Sequence, residues 1–318
     1  MKNNTREFEC SHAQWTVHGT RRRRCTRCGK TRTVWRKKRG RKRHRVGTAA
    51  LFAYLLGKTV SVSSRRLRQA RDRFNRAAPW ADVSALPPPH LLIADAMHIR
   101  TRTYGTVVHC LLLSSVRGDR AWVLPPYFDD CGENARSWQC AVALLSPWVL
   151  SQVNTLICDG KSGLLRLART RGWHIQRCQF HLIARLQLKR SKYALSRHRA
   201  EGVKLYELAK TVCATRSMRT LSRALCTINR VAHIESNRHL KTILSGFVKH
   251  YRDYRTYLAH PELNLPRTTN AVESLNSLIR GLARRMRGFE NAASARAWIE
   301  ALLKHRRYIK LNTKRHTI

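Results

Sequence analysis

The sequence predicts an α/β architecture: a mixed sheet flanked by helices, interrupted by an α-helical insertion and preceded by small basic N-terminal modules. Three observations carry this. Between residues 90 and 178, short β-rich apolar runs alternate with stretches of helical periodicity. Cys10, His12, Cys25 and Cys28 open the chain at the spacing of metal ligands. After His181, Leu182, Ala184 and Leu186 begin helical stretches, the insertion being assigned to 184–266, and Pro261 and Pro266 punctuate its exit.

Composition narrows the function classes. A hydrophobic fraction of 43% in 318 residues is enough to bury a core, which excludes a disordered basic tail. Against 18 Asp and Glu stand 63 Lys and Arg, for a net charge of +45 at pH 7. Self-repulsion on that scale is relieved by a polyanion. Nucleic acid is the implied partner, with an anionic membrane a distant second. No run of about 18 apolar residues is present, and the first ten residues do not read as a secretory signal. The ten cysteines are scattered, and only Cys25 and Cys28 form a tight pair. A reducing cytoplasm is the expected compartment.

The front of the chain reads as two modules, 1–36 and 37–86. Cys10-x-His12, twelve residues, then Cys25-x-x-Cys28 suits a tetrahedral structural Zn²⁺ in a zinc ribbon, with Gly29 turning the knuckle. His18 can replace His12, and free thiols with surface histidines are the plain alternative. The run from Lys37 to Arg45 is too charged to fold alone. Within it, Arg39-Gly40-Arg41 suits a minor-groove arm, and equally a solvated linker. From Thr48 to Arg76 a helix-turn-helix is predicted. Ala50, Leu51, Tyr54 and Leu55 keep helical spacing, Gly57 breaks the helix, and Ser63 or Ser64 offers the next cap. Leu67, Ala70 and Phe74 share one face of the second helix. Arg65, Arg66, Arg68, Gln69, Arg71 and Arg73 take the others, as in a recognition helix, although a generic amphipathic pair has the same pattern. Pro87-Pro88-Pro89 marks a stiff boundary.

Strands follow: Leu91–Asp95, Val107–Val116 and Ala121–Phe128, with a Gly118-Asp119 turn between the last two. A helix carries Trp138, Ala141, Val142 and Leu145; then come a strand at Val153–Cys158, a helix with Leu164, Leu165 and Ala168, and a strand at Trp173–Cys178. Strand-turn-strand segments pair antiparallel and strands returning through helices run parallel. This is the order of a ribonuclease H-like core, assigned to 87–183 and completed by helices in 267–318.

That topology brings Asp95 and Asp159 to one edge of the sheet. Facing carboxylates repel, and a pair of divalent ions roughly 3.5–4 Å apart removes the penalty and supports phosphoryl transfer. Asp159-Gly160 is also an ordinary turn. Glu273 sits at the start of a helix, where Asn270 and Glu273 fit a capping box. In that helix Val272, Leu275, Ile279 and Leu282 point inward, whereas Glu273, Asn276, Ser277, Arg280, Arg284 and Arg287 form a polar stripe able to grip phosphates. Cys178 and His181 make a lone C-x-x-H, a poor zinc site, and are read as shaping the site. Asp129-Asp130 is a decoy pair that caps the next helix.

The segments ADAMHIR, ICDGKSGLLRLA, CQFHL and TTNAVESLNSLIRGL resemble the Mutator-like DDE transposases of bacterial insertion sequences, from about Leu91 to the end. The resemblance implies Asp95, Asp159 and Glu273 as the catalytic triad holding two Mg²⁺, with Mn²⁺ substituting. It also implies a mainly helical insertion between His181 and Glu273, and a site flanked by Cys178, His181, Asn270 and Asn276. Met97-His98 departs from the usual flanking pair and leaves substrate preference open. The implied partners are double-stranded DNA, as transposon ends and target, and further copies of the chain, as a homodimer or larger on DNA. The implied setting is the bacterial nucleoid. Rival readings are a non-catalytic transposase-derived regulator and a basic packaging protein; neither needs three acids at strand and helix ends.

Overall fold

The computed structural model describes residues 11, 13–19, 22–33, 47–102, 105–190, 196–234 and 238–311. The chain divides into two units, residues 1–45 and 46–318.

In the first unit β1 (Trp15–His18), β2 (Arg22–Cys25) and β3 (Thr31–Thr33) form an antiparallel sheet. Cys25 ends β2 with 2% of its surface exposed, and Cys28 is exposed in the turn that follows. Gly29 adopts φ +71°, and its N–H donates to the Cys25 carbonyl at 3.0 Å. Trp15 pairs with Cys25 and His18 with Arg22. His18 is therefore about 10 Å along the hairpin from the level of Cys25, away from the knuckle. Cys10, His12, Arg39 and Arg41 lie outside the described residues.

The second unit runs α1 (Thr48–Leu55), α2 (Ser64–Ala77), β4 (His90–Arg100), β5 (Gly105–Ser115), β6 (Arg120–Val123), β7 (Tyr127–Asp129), α3 (Ala135–Ala143), α4 (Pro147–Ser151), β8 (Val153–Cys158), α5 (Ser162–Thr170) and β9 (His174–Arg177). It continues with α6 (Gln179–Arg190), α7 (Ser196–Ala214), α8 (Met218–Ile234), α9 (Arg238–Lys249), α10 (Thr256–Ala259), α11 (Asn270–Arg285), α12 (Ala292–Arg306) and β10 (Tyr308–Lys310). The sheet order is β10-β6-β5-β4-β8-β9, with β7 also on β5. β4, β5 and β6 pair antiparallel, and β4-β8 and β8-β9 pair parallel. No described helix is long and apolar enough to cross a membrane.

The predicted third strand is split. Pro125 and Pro126 lack the N–H a ladder needs, so β6 and β7 pair separately with the same edge of β5. β10 extends that end of the sheet by pairing with β6, a strand absent from the sequence-based expectation. The decoy acids also behave differently from expectation. Asn134 caps α3 through a reciprocal box with Ser137, while Asp129 accepts from the Cys131 N–H at 2.7 Å.

β4 is largely apolar from Leu91 to Ala94 because both of its faces are covered there. Leu91, Ile93, Met97 and Ile99 join a core with α11, α12, α1 and α2; Leu92 and Ala94 join a second core with α3 and α5. Side chains alternate along a strand, so Asp95 falls on the α11 face. The helical pair α1–α2 is therefore part of this core through Leu51, Leu55, Leu67 and Ala70; it does not stand with a separate front domain. The insertion has its own core, including Leu186, Leu205, Ile228, Leu244 and Phe247. Its helices start at Gln179, earlier than the expected residue 184. Buried glutamines tie its exit to the sheet: Gln176 and Gln179 donate to the Tyr254 carbonyl, and Gln176 accepts from the Tyr257 N–H.

Candidate active site

Strand register sets the first two acids. Ile93 pairs with Ile157 on parallel β4 and β8, and Asp95 and Asp159 each lie two residues further on. They share a level and, by alternation, a face. Asp95 is 8% exposed. Its carboxyl rises to about 7, through burial first and then through the nearby charges of Glu273 and Asp159. Asn276 of α11 is fully buried and donates to Asp95 Oδ2 at 2.7 Å. It is the buried member of the polar stripe that Glu273 heads.

The third acid arrives on the first turn of α11. Thr269 precedes the helix, with no side-chain cap, and Asn270 is its exposed first residue. The capping box is absent, so the Glu273 carboxylate is free for other partners. His181 Nε2 lies 3.1 Å from Glu273 Oε1. This bond holds the Glu273 carboxyl below its usual range. His181 rises to about 10, through Cys178 first and then Glu273.

Cys178 positions both helices. It directly follows β9, its N–H donates to the Cys158 carbonyl at 2.7 Å, and its buried Sγ accepts from the N–H and hydroxyl of Thr269, each at 3.2 Å. Burial pushes this thiol up, but its bonds with His181 and Thr269 outweigh that and lower it. One sulfur thus links the start of α6, which carries His181, to the start of α11, which carries Glu273.

Ligand atoms of Asp95, His181 and Glu273 all lie within 4.8 Å of one another. Two carboxylates and an imidazole suit a divalent cation: oxygens favour Mg²⁺ or Mn²⁺, and the imidazole, once a cation displaces its proton, adds affinity for transition metals. Sequence reasoning gave His181 only a shaping role, because C-x-x-H by itself resembles half of a zinc site. Asp159 stands beside this cluster, not inside it. Its Oδ1 accepts from the Lys161 N–H at 3.0 Å, the turn alternative noted for Asp-Gly. Gly160 allows that turn with φ +94° and lies under the Arg177 guanidinium, which stacks on Tyr254. The Lys161 ammonium is drawn to Glu133 at 3.0 Å.

The basic residues separate into two groups. Arg65, Arg66, Arg68, Gln69 and Arg73 are exposed on α2, and Arg280 and Arg284 are exposed on α11. Arg71 is not available to a groove. It is 8% exposed, pairs with Asp72 at 2.6 Å and lies over the Trp298 ring at 4.8 Å.

No curated protein matches the chain. The sequence profile described as "Transposase, Mutator family" matches residues 80–310, which span every element from the first strand of the large sheet to the last. The chain belongs to the Mutator family of transposases.

Proposed function

We propose that the chain is a DDE transposase that binds the terminal inverted repeats of an insertion sequence and cleaves and joins DNA at Asp95, Asp159 and Glu273. The observation that carries this is the meeting of Asp95, from a central strand, with Glu273, from a distant helix, within ligand distance. The pairing pattern of β6-β5-β4-β8-β9 supports a ribonuclease H-like core. Asp95 and Glu273 would hold divalent ions, Mg²⁺ or Mn²⁺, and Asp159 would join them by leaving its turn bond to the Lys161 N–H. Bound there, such ions supply an activated attacking oxygen and a stabilised leaving oxygen. Asn276 keeps the Asp95 carboxylate aimed, and Cys178 keeps Glu273 in reach. Arg280 and Arg284 offer guanidinium groups to flanking phosphates. Water is the first nucleophile and the freed 3′-hydroxyl the second, with no covalent protein intermediate. Two ends held together imply a dimer or larger on DNA.

Asp95→Asn and Asp159→Asn test the reading. End binding survives in both while cleavage and strand joining vanish; unchanged cleavage in both removes the catalytic assignment. The first unit is read as a zinc ribbon on Cys10, His12, Cys25 and Cys28, supported by the knuckle turn. Chain purified without chelator and found free of zinc by metal analysis removes that part.

A further inference from the structure

At the far end of α11 from the metal cluster, where the α1–α2 turn meets the α11–α12 turn, lies a cavity of about 610 Å³. Lys58, Arg68, Arg102, Arg285 and Arg287 line it, and among its lining residues Glu290 is the single acid. None of these five cations makes an ion pair with the described residues. Like charges drawn from separate segments repel unless an anion lies between them. The fold nevertheless holds them together. Gly57, at φ +91°, leaves room for the Arg285 guanidinium, which donates to the Leu55 carbonyl at 2.9 Å. Arg287 is presented by a left-handed backbone at φ +52° and Gly288 follows at +87°. Trp298 also lines the cavity. It is 3% exposed, and its Nε1–H has no acceptor among the described residues. A buried donor without a protein partner is uncommon and can donate to a bound acceptor.

We infer that this cavity binds a backbone phosphate of duplex DNA. The inference rests on the transposase reading and adds to it a second grip, away from the chemistry. Helix α11 connects the two places: Glu273 heads it, Arg280 and Arg284 follow on the same face, and Arg287 stands just past its end. At a rise of about 1.5 Å per residue, Arg287 is about 21 Å from Glu273. That is about six steps of a duplex at about 3.4 Å each. A duplex along α11 then places one phosphate at the carboxylates and another in the cavity. The cavity walls come from the α1–α2 pair and from the α11–α12 turn, so one bound phosphate is held by both and positions the duplex against the unit they share.

The test uses the full chain labelled with 5-fluorotryptophan, the Trp298 signal being assigned by its absence in Trp298→Phe. A 20-base-pair duplex and inorganic phosphate are the probes. The duplex moves the Trp298 signal in the wild type and leaves it in place in a Lys58→Gln/Arg287→Gln variant. That variant also lowers the slope of log affinity against log salt by about 0.9 for each phosphate no longer neutralised. A charge-matched Arg223→Gln/Arg230→Gln variant on α8 keeps the wild-type slope. A signal that ignores the duplex, or responds to inorganic phosphate alone, overturns the assignment. So does an equal slope change in the α8 variant, a measurement independent of whether Trp298→Phe folds. Metal-dependent cleavage is scored in parallel on duplexes carrying the terminal inverted repeats: a moved signal without cleavage of those ends keeps the cavity and removes the transposase reading, and the reverse removes the cavity alone.

Discussion

Asp95→Asn should stabilise the metal-free protein at alkaline pH while ending its response to metal. Asp95 is 8% exposed and its carboxyl is raised from 3.8 to about 7 by burial, Glu273 and Asp159. A carboxyl with a raised folded pKa favours the fold while protonated. Its contribution is whole below pH 3.8 and is lost as pH rises through about 7. Roughly three units at about 1.4 kcal/mol each give at most about 4 kcal/mol of penalty above pH 8. Asn carries no charge, and its oxygen can still accept from Asn276 Nδ2, so the penalty disappears. With an unfolding entropy of about 2.1 cal/mol/K per residue over roughly 270 residues, that is a gain of up to about 7 °C. The assay is thermal unfolding in EDTA from pH 4 to 9, repeated with Mg²⁺ and Mn²⁺. The difference should be near zero at pH 4, grow through pH 5–7 and level off above 8. Metal should raise the wild-type midpoint and leave the variant unmoved. An Asn variant less stable than wild type at pH 8, or an offset independent of pH, refutes the reasoning.

Other perturbations separate positioning from packing. Asn276→Ala strips Asp95 of its buried donor and should cost about 1–3 kcal/mol in denaturant unfolding, with metal binding shifted to higher pH; unchanged stability and unchanged metal titration argue against the bond. Gly160→Ala forces a side chain into a left-handed backbone beneath Arg177 and should cost about 1–3 kcal/mol, read from the urea midpoint. An Ala variant as stable as wild type shows that the turn relaxes freely. Arg71→Ala should lower stability by about 1–2 kcal/mol by removing its packing on Trp298, whereas Arg68→Ala should leave stability within about 0.5 kcal/mol. Equal effects on the melting temperature remove the distinction between the buried and exposed arginines.

Much of the fold was legible because period and punctuation are local. The apolar runs at Leu91, Val107 and Val153 and the inward stripe of Val272, Leu275, Ile279 and Leu282 all appear where expected. The errors share one cause. Pro125-Pro126 cut a strand whose halves both read as β-formers, and β10 is too short to signal itself before it pairs. The amphipathic pattern of α2 was right, but nothing in it says that Trp298 lies over Arg71. Asn276 shares the helical stripe of Glu273, yet it turns inward because Asp95 waits at 2.7 Å.

By itself the sequence determined the main succession of strands and helices, apart from the β6–β7 split and β10, together with the excess positive charge and the identity of the acids at the strand and helix ends. Those properties are written in neighbouring residues and in composition. Only tertiary structure decided that His181 joins Asp95 and Glu273 while Asp159 rests in its own turn, that Cys178 fastens two helix starts together, and that five cations line one cavity with Trp298, whose Nε1–H has no acceptor among the described residues. Each of these depends on distances between segments far apart in the chain, which are set by sheet register and by which face of β4 each helix covers.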